Sequence, residues 1–421
     1  MDKFIIQKSC HLKGRVRVSG AKNSCLALMA ASLLTDEPLE LNNVPNLVDV
    51  RTMTRVLENM GVGISRSEPG KLRLDSSRAE GLKAPYDLVR KMRASYYVLG
   101  PLTARKGKAE VSLPGGCAIG QRPIDLHLKG LSMLGAEIST SGGYIYVRAD
   151  RLNGARINLT GQSGSSVGAT VNVLMAATLA RGVTVLEGAA AEPEIVDLAW
   201  MLKAMGAKVE GAGTDVITIE GVASLGGASH TVIPDRIETG TFAVAAAITG
   251  GDVVIADCCP EHVQSVTDLL ENLGVKIEKA RKTLLVRAGG EMPAFELCTA
   301  PYPGFPTDMQ AQFCALATQA EGTSVIEENI FEHRTLHVSE LARFGADIKV
   351  SGRKIIVRGP TPLSSAPVMA SDLRASAALV LAALVADGSS EIHRIYHLDR
   401  GYEHLEVKLA RLGVKIMRVS A

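Results

Sequence analysis

The chain has 421 residues, 46% apolar and 21% charged, with 46 Lys and Arg against 44 Asp and Glu. That balance excludes the broad basic field of a nucleic-acid or anionic-membrane binder, so any anion must be held by a local cluster. The length favours two separate cores over one, and the longest apolar run, AALVLAALVA at 377–386, is about half a bilayer span. The opening MDKFIIQKSCHLKGRVRV lacks the apolar core of a signal peptide, so a cytoplasmic protein is expected. Seven cysteines at 10, 25, 117, 258, 259, 298 and 314 fit neither a disulfide framework nor paired metal spacing. Most are expected to be buried apolar side chains, and no structural zinc is expected.

Along the chain one phrase recurs six times: LENMGVGI at 57, LSMLGAEI at 131, LKAMGAKV at 202, LENLGVKI at 270, LARFGADI at 341 and LARLGVKI at 409. The starts lie 74, 71, 68, 71 and 68 residues apart, which makes the unit a small subdomain of about seventy residues, longer than ordinary solenoid repeats. Each phrase predicts a helix ending at a Gly in the left-handed position, then a strand; EISTSGGYIYVRA and KIEKARKTLLVRA predict hairpins. Upstream lie helices rich in small residues, such as SCLALMAASLL, SVGATVNVLMAATLA, TGTFAVAAAITGG and LRASAALVLAALVADG. These are apolar nearly all round and so belong inside. The class is therefore α/β, built of six βαβαββ repeats, three in each of two lobes. The lobes are expected at 22–232 and at 1–21 plus 233–421, with a ligand cleft between them.

Polar and cationic residues gather at the repeat edges. SGAKNS sets Lys22 and Asn23 at a helix entry, where an ammonium beside free N–H groups suits an anion, although a solvated Lys with a capping Asn fits equally. Arg93 in MRAS and Arg374 in DLRAS precede small-residue helices in different repeats, and Arg122, Arg334 and Arg400 add guanidiniums suited to carboxylate or phosphate. Asp308 in YPGFPTDMQAQ and Asp372 in SDLRAS each fit either a helix cap or a general base. Cys117 lies in a Gly-flanked loop with Arg122 and Pro123 close behind, surroundings that would favour the thiolate, so a reactive thiol and a structural one fit it equally.

SGAKNS, MRAS, PGGCAIGQRPIDLHLKG, SSVGAT, AAAEPEIVDLA, PDRIETGTF, YPGFPTDMQAQ, ENIFEHR, DLRASAAL and HLDRGYE, in this order over nearly the whole chain, closely resemble the UDP-N-acetylglucosamine 1-carboxyvinyltransferase family. The resemblance implies a two-domain inside-out α/β barrel, the enolpyruvyl transferase fold. It implies transfer of the enolpyruvyl group of phosphoenolpyruvate to the 3′-hydroxyl of UDP-N-acetylglucosamine with release of phosphate, the first committed step of peptidoglycan synthesis, with no metal or organic cofactor. Position by position, it makes Asp308 the base for the sugar hydroxyl and Cys117 the general acid. Cys117 would also carry a phosphoenolpyruvate-derived adduct and be the target of fosfomycin. Lys22, Asn23, Arg122 and Arg400 fall at phosphoenolpyruvate, with Arg93 in the same anionic neighbourhood and Asp372 lining the site. Asn23, Arg93, Arg122, Pro123, Ile124, Asp125, Leu126, Ser165, Ser166, Val167, Gly168, Asp308 and Ile330 fall at the nucleotide sugar; Arg334 and Arg374 support the site. One departure is visible: many members carry a Lys before SVGAT, where this chain has Gly164 and Ser165. The competing readings are a 5-enolpyruvylshikimate-3-phosphate synthase-like transferase, whose pattern lacks the Cys-bearing loop and the RPIDLHLKG run, and a non-catalytic nucleotide-sugar sensor. Retention of Lys22, Cys117, Asp308 and Arg400 together argues against a sensor.

Overall fold

The computed structural model describes residues 2–113 and 124–420. The six repeated phrases all become the same helix ending. In each, the Gly that follows the helix takes a left-handed conformation: Gly61, Gly135, Gly206, Gly274, Gly345 and Gly413, at φ between +86° and +102°. The residue after it donates its N–H five residues back, to the carbonyl of the buried Leu that starts the phrase: Val62 to Leu57, Ala136 to Leu131, Ala207 to Leu202, Val275 to Leu270, Ala346 to Leu341 and Val414 to Leu409. This Schellman geometry satisfies an orphan carbonyl and folds the chain back into a strand, which explains why Leu, Gly and a following small apolar residue keep their spacing.

Among the described residues there are six four-stranded sheets and one two-stranded ribbon, Thr160–Gly161 with Gly164–Ser165. The repeat is uninterrupted in strand Glu296–Cys298, helix Gln310–Ala317, strand Gly322–Glu327, helix Leu336–Arg343 and hairpin Asp347–Ser351 with Lys354–Gly359. The first two strands pair in parallel and the hairpin adds antiparallel, giving the spatial order first, second, fourth, third. The expected hairpins at 137–148 and 276–287 form in the same way.

The chain folds as two compact units, one taking the described residues within Gly20–Gly116 and Arg122–Ile233, the other those within Met1–Ser19 and Pro234–Ala421. Each holds three of the sheets and one apolar core. Gly20, Ala21 and Ile233 fall in the first unit; the Ala21 N–H donates to the Ile233 carbonyl, and the Gly20 backbone lies so close to the Asn43 carbonyl that no side chain fits. Two sheets of the second unit borrow strands from the chain start. Asp2–Gln7 lies between Ser389–His393 and Ile416–Ser420, and Lys13–Arg17 pairs in parallel with Asp252–Ala256. In the first unit, Ala228–Thr231 returns to pair in parallel with Leu39–Asn42.

The small-residue helices are the interior of each unit. Every residue of helix Arg236–Thr249 after the first is buried, and it packs on helices Gln310–Ala317 and Leu373–Val385. Alanines let these backbones approach, while Phe242, Phe313, Leu379 and Leu381 fill what remains, each worth about 2 kcal/mol of transfer free energy. The cysteine expectation needs correction: of the six described, Cys25, Cys258 and Cys314 are buried, Cys10 and Cys298 are exposed and Cys259 is intermediate. Of the exposed pair, Cys10 lies in the connection between strands Asp2–Gln7 and Lys13–Arg17, and Cys298 ends the short strand Glu296–Cys298.

Candidate active site

In the second unit two buried arginines converge on Asp308. Pro306 opens the short turn Thr307–Met309, which runs into helix Gln310–Ala317, and no side chain caps either start. Asp308 therefore does not do what its local sequence suggests. Its carboxylate instead accepts from two buried arginines, Arg334 Nη2 on Oδ1 at 2.8 Å, and Arg374 Nε and Nη2 on Oδ2 at 3.1 and 2.9 Å. The Asp308 side chain keeps 27% exposure against 5% and 4% for the two arginines, so it can meet a substrate while its orientation is fixed from behind. Burial opposes the charge on Arg374, but the Asp308 carboxylate, with Tyr402 and Asp235 beyond it, holds its pKa above the ordinary arginine value. Arg374 also lies over the Tyr402 ring, 5.6 Å from its centroid. Arg334 Nε and Arg374 Nη1 are buried with no hydrogen-bond partner among the described residues.

Asp372 is a helix cap: its carboxylate accepts from the Arg374 and Ala375 N–H groups at 2.9 and 3.0 Å, placing Arg374 at the helix start from which it reaches Asp308. Arg400 closes the turn Ile395–Arg400 and is half-buried; burial, and then its charge, push the His397 pKa down. Ile330 is also half-buried and is fixed through its N–H, which donates to Glu328 Oε1 at 2.8 Å. The sequence alone gives no role to Glu328 or Thr307. Both lie inside or beside quoted motifs, and what distinguishes them is a long-range pairing that no local pattern reports.

In the first unit Lys22 opens helix Lys22–Ala31, with its Nζ 3.4 Å from the buried Asp49 carboxylate, and is largely covered. Asn23 follows it, half-buried, and does not cap the helix. Arg93 opens the turn Arg93–Val98, which packs on helix Lys22–Ala31. Ile124 precedes helix Asp125–Met133, which carries Asp125 and Leu126. Ser165 ends the two-stranded ribbon, and Ser166 caps helix Val167–Ala177 by accepting the Ala169 N–H at 3.3 Å. Val167 and Gly168 form that helix's first turn; a Cβ on Gly168 would sit 2.9 Å from the His127 ring, so a bare backbone is needed there. The His127 ring in turn meets Asn172, whose Oδ1 accepts the Gly100 N–H and whose Nδ2 therefore faces His127 Nδ1 at 2.8 Å. That amide donates, so His127 is neutral with its proton on Nε2. Burial, reinforced by Arg93, pushes its pKa down to about 3. The loop that replaces the expected Lys contains Gly164 at φ +93°, a conformation Lys would take only with strain.

Cys117, Arg122 and Pro123 lie outside the described residues. Of the other thiols, burial pushes the pKa of Cys25 up to about 12, and those of Cys258 and Cys259 to about 11, which disfavours their thiolate forms. Among the described residues no group of three or more His, Cys, Asp or Glu side chains could hold a metal ion, and no helix is long and apolar enough to cross a membrane.

The family model described as EPSP synthase (3-phosphoshikimate 1-carboxyvinyltransferase) matches residues 6–409. The UDP-N-acetylglucosamine 1-carboxyvinyltransferase of Methylacidiphilum infernorum (isolate V4) is 53% identical over 419 residues, covering 100% of this chain and 99% of its own. That of Koribacter versatilis (strain Ellin345) is 54% identical over 423 residues, covering 100% and 97%. Among solved structures, the enolpyruvyl transferase NikO from Streptomyces tendae matches with a TM-score of 0.90 at 26% identity over 100% of this chain and 99% of its own. The EPSP synthase from Acinetobacter baumannii matches at 0.74 and 21% identity over 100% of both, a likeness of fold alone. The architecture is the enolpyruvyl transferase fold.

Proposed function

The chain belongs to the UDP-N-acetylglucosamine 1-carboxyvinyltransferases, within the wider EPSP synthase family, and from that premise we propose that it transfers the enolpyruvyl group of phosphoenolpyruvate to the 3′-hydroxyl of UDP-N-acetylglucosamine in the cytoplasm, as the first committed step of peptidoglycan synthesis. The observation that carries the reading is identity of 53–54% over the whole chain to proteins of that name.

The chemistry is addition followed by elimination. The sugar oxygen attacks C2 of phosphoenolpyruvate while its proton passes to Asp308, and C3 gains a proton from Cys117 to become a methyl group. The C2–O bond to phosphate then breaks, C3 loses a proton, and the vinyl ether forms with inorganic phosphate as the other product. A base fixed by two guanidiniums and still partly exposed suits the first step. Lys22 beside a helix start suits the phosphate and carboxylate of the donor, with Arg122 and Arg400 as further cations and Arg93 nearby. The helix start at Ile124–Leu126, the Ser165–Gly168 turn and Ile330 serve the nucleotide sugar, with backbone N–H and hydroxyl groups of the Gly164–Ser166 loop standing in for the missing Lys.

Phosphate release from phosphoenolpyruvate tests this: it is expected with UDP-N-acetylglucosamine, absent with shikimate 3-phosphate, and strongly reduced in Lys22→Ala at phosphoenolpyruvate concentrations well below saturation. Release with shikimate 3-phosphate alone would favour the other transferase, and binding of the nucleotide sugar without release would favour a sensor. Fosfomycin is expected to add its mass to Cys117, faster with UDP-N-acetylglucosamine present. Labelling of the exposed Cys10 or Cys298 instead would misplace the reactive thiol.

A further inference from the structure

Glu328 is 2% exposed and lies just beyond strand Gly322–Glu327. Its carboxylate accepts four hydrogen bonds: on Oε1 from Thr299 Oγ1 at 3.0 Å and from the N–H groups of Ile330 and Phe331 at 2.8 and 3.0 Å, and on Oε2 from Thr307 Oγ1 at 2.9 Å. We infer that Glu328 is a positioning residue that sets both the Asp308 carboxylate and the Ile330 turn; this rests on the reading above, in which both act on the nucleotide sugar.

Hydroxyl protons fix the direction of every bond in this cluster. A Thr hydroxyl has one proton to give, and a carboxylate has only acceptors. Thr307 gives its proton to Glu328 and so turns a lone pair toward Arg334, whose Nη1 donates to it at 2.8 Å. The other terminal nitrogen of that same guanidinium, Nη2, donates to Asp308 Oδ1 at 2.8 Å. Thr299 repeats the pattern, giving its proton to Glu328 and accepting the Asn329 N–H at 2.9 Å. Phe331, held by the same carboxylate, places its ring 5.5 Å from the Arg334 guanidinium carbon. Glu328 thus fixes what Arg334 rests on, and Arg334 fixes half of Asp308. A Gln would keep its carbonyl on the three donors of Oε1 and aim its amide nitrogen at the Thr307 hydroxyl, reversing that hydroxyl and setting its proton against Arg334.

Turnover of the full chain with phosphoenolpyruvate and UDP-N-acetylglucosamine tests the link. Thr307→Val cuts the arm to Arg334 and leaves the three bonds on Oε1, so kcat is expected to fall about tenfold with the KM for UDP-N-acetylglucosamine within about twofold. Thr307→Ser keeps the hydroxyl and is expected to recover kcat to within about twofold of wild type. Glu328→Gln reverses the Thr307 arm and removes the charge that strengthens the three bonds on Oε1, so it is expected to lower kcat and raise that KM together, each by about fivefold or more. Wild-type kcat in Thr307→Val, or Thr307→Ser as impaired as Thr307→Val, overturns the inference. A wild-type chain that releases no phosphate overturns the functional reading instead. The Nε–H resonance of Arg334 then decides: movement in Thr307→Val but not Thr307→Ser upholds the link, and no movement in either overturns it.

Discussion

The two units share one repeat and differ in what they place at the starts of their inner helices. In the second unit all three starts carry an aspartate. Asp235 accepts the Ile237 and Glu238 N–H groups, Asp372 accepts those of Arg374 and Ala375, and Asp308 stands in the turn before Gln310. In the first unit the same starts carry Lys22, Arg93 and the hydroxyl cap of Ser166. A helix start favours negative charge. The second unit supplies that charge itself and turns one carboxylate away from its helix onto two arginines, while the first adds cations where anions already prefer to sit. The same backbone geometry therefore carries opposite charge in the two units, and the difference lies in three positions rather than in the fold.

Substitutions can break this comparison, the largest expected effect first. Asp308→Asn keeps the volume and removes the base, so kcat should fall by about 10²–10⁴, whereas Lys22→Ala should chiefly raise the KM for phosphoenolpyruvate; equal effects on the same constant in steady-state kinetics would erase the distinction between the units. Arg374→Met strips a buried guanidinium from Asp308 and should cost about 3 kcal/mol in urea unfolding. An unchanged midpoint would show that the pair contributes nothing net.

Acid stability should also separate the units. Burial and Arg93 hold the His127 pKa at about 3, and burial, with Arg334 adding to it and Asp372 opposing, holds that of His337 in the second unit at about 4. An unfolded histidine binds its proton near pH 6.5, so between that pH and the folded value the unfolded chain holds the extra proton. The stability each neutral ring gives is complete above about pH 6.5 and is lost as pH falls toward 3 or 4. His127→Gln should flatten the denaturation midpoint over that window; a midpoint as steep as wild type's would mean that the ring is already charged in the folded state. The smallest effect concerns the shared helix ending. Gly274→Ala meets nothing within 4 Å and carries backbone strain alone, about 1 kcal/mol by thermal unfolding, while Gly61→Ala adds a Cβ 3.1 Å from the Arg78 carbonyl and should cost more. Equal losses would mean that the surroundings of the two endings do not matter.

The repeat is legible in the sequence because its signal is local: a Leu, a left-handed Gly and a small apolar residue at fixed spacing make one hydrogen-bonded ending wherever they occur. The inner helices are legible because they are apolar on every side. The borrowed strands are only partly so; pairing of Lys13–Arg17 with Asp252–Ala256 leaves no mark in either segment. Asp308 shows the same limit at the site. Its neighbours suggest a cap, and only the folded chain brings Arg334 and Arg374 to it. Asp372 carries the same ambiguity and is a cap, because its carboxylate faces its own helix.

Running the reaction in deuterium oxide and reading the product by mass spectrometry and NMR tests the central claim most directly. Addition followed by elimination makes C3 of the donor a methyl group before a proton is lost, so deuterium is predicted in the vinyl methylene of the enolpyruvyl product. A product formed with release of phosphate but without deuterium at that carbon would contradict it.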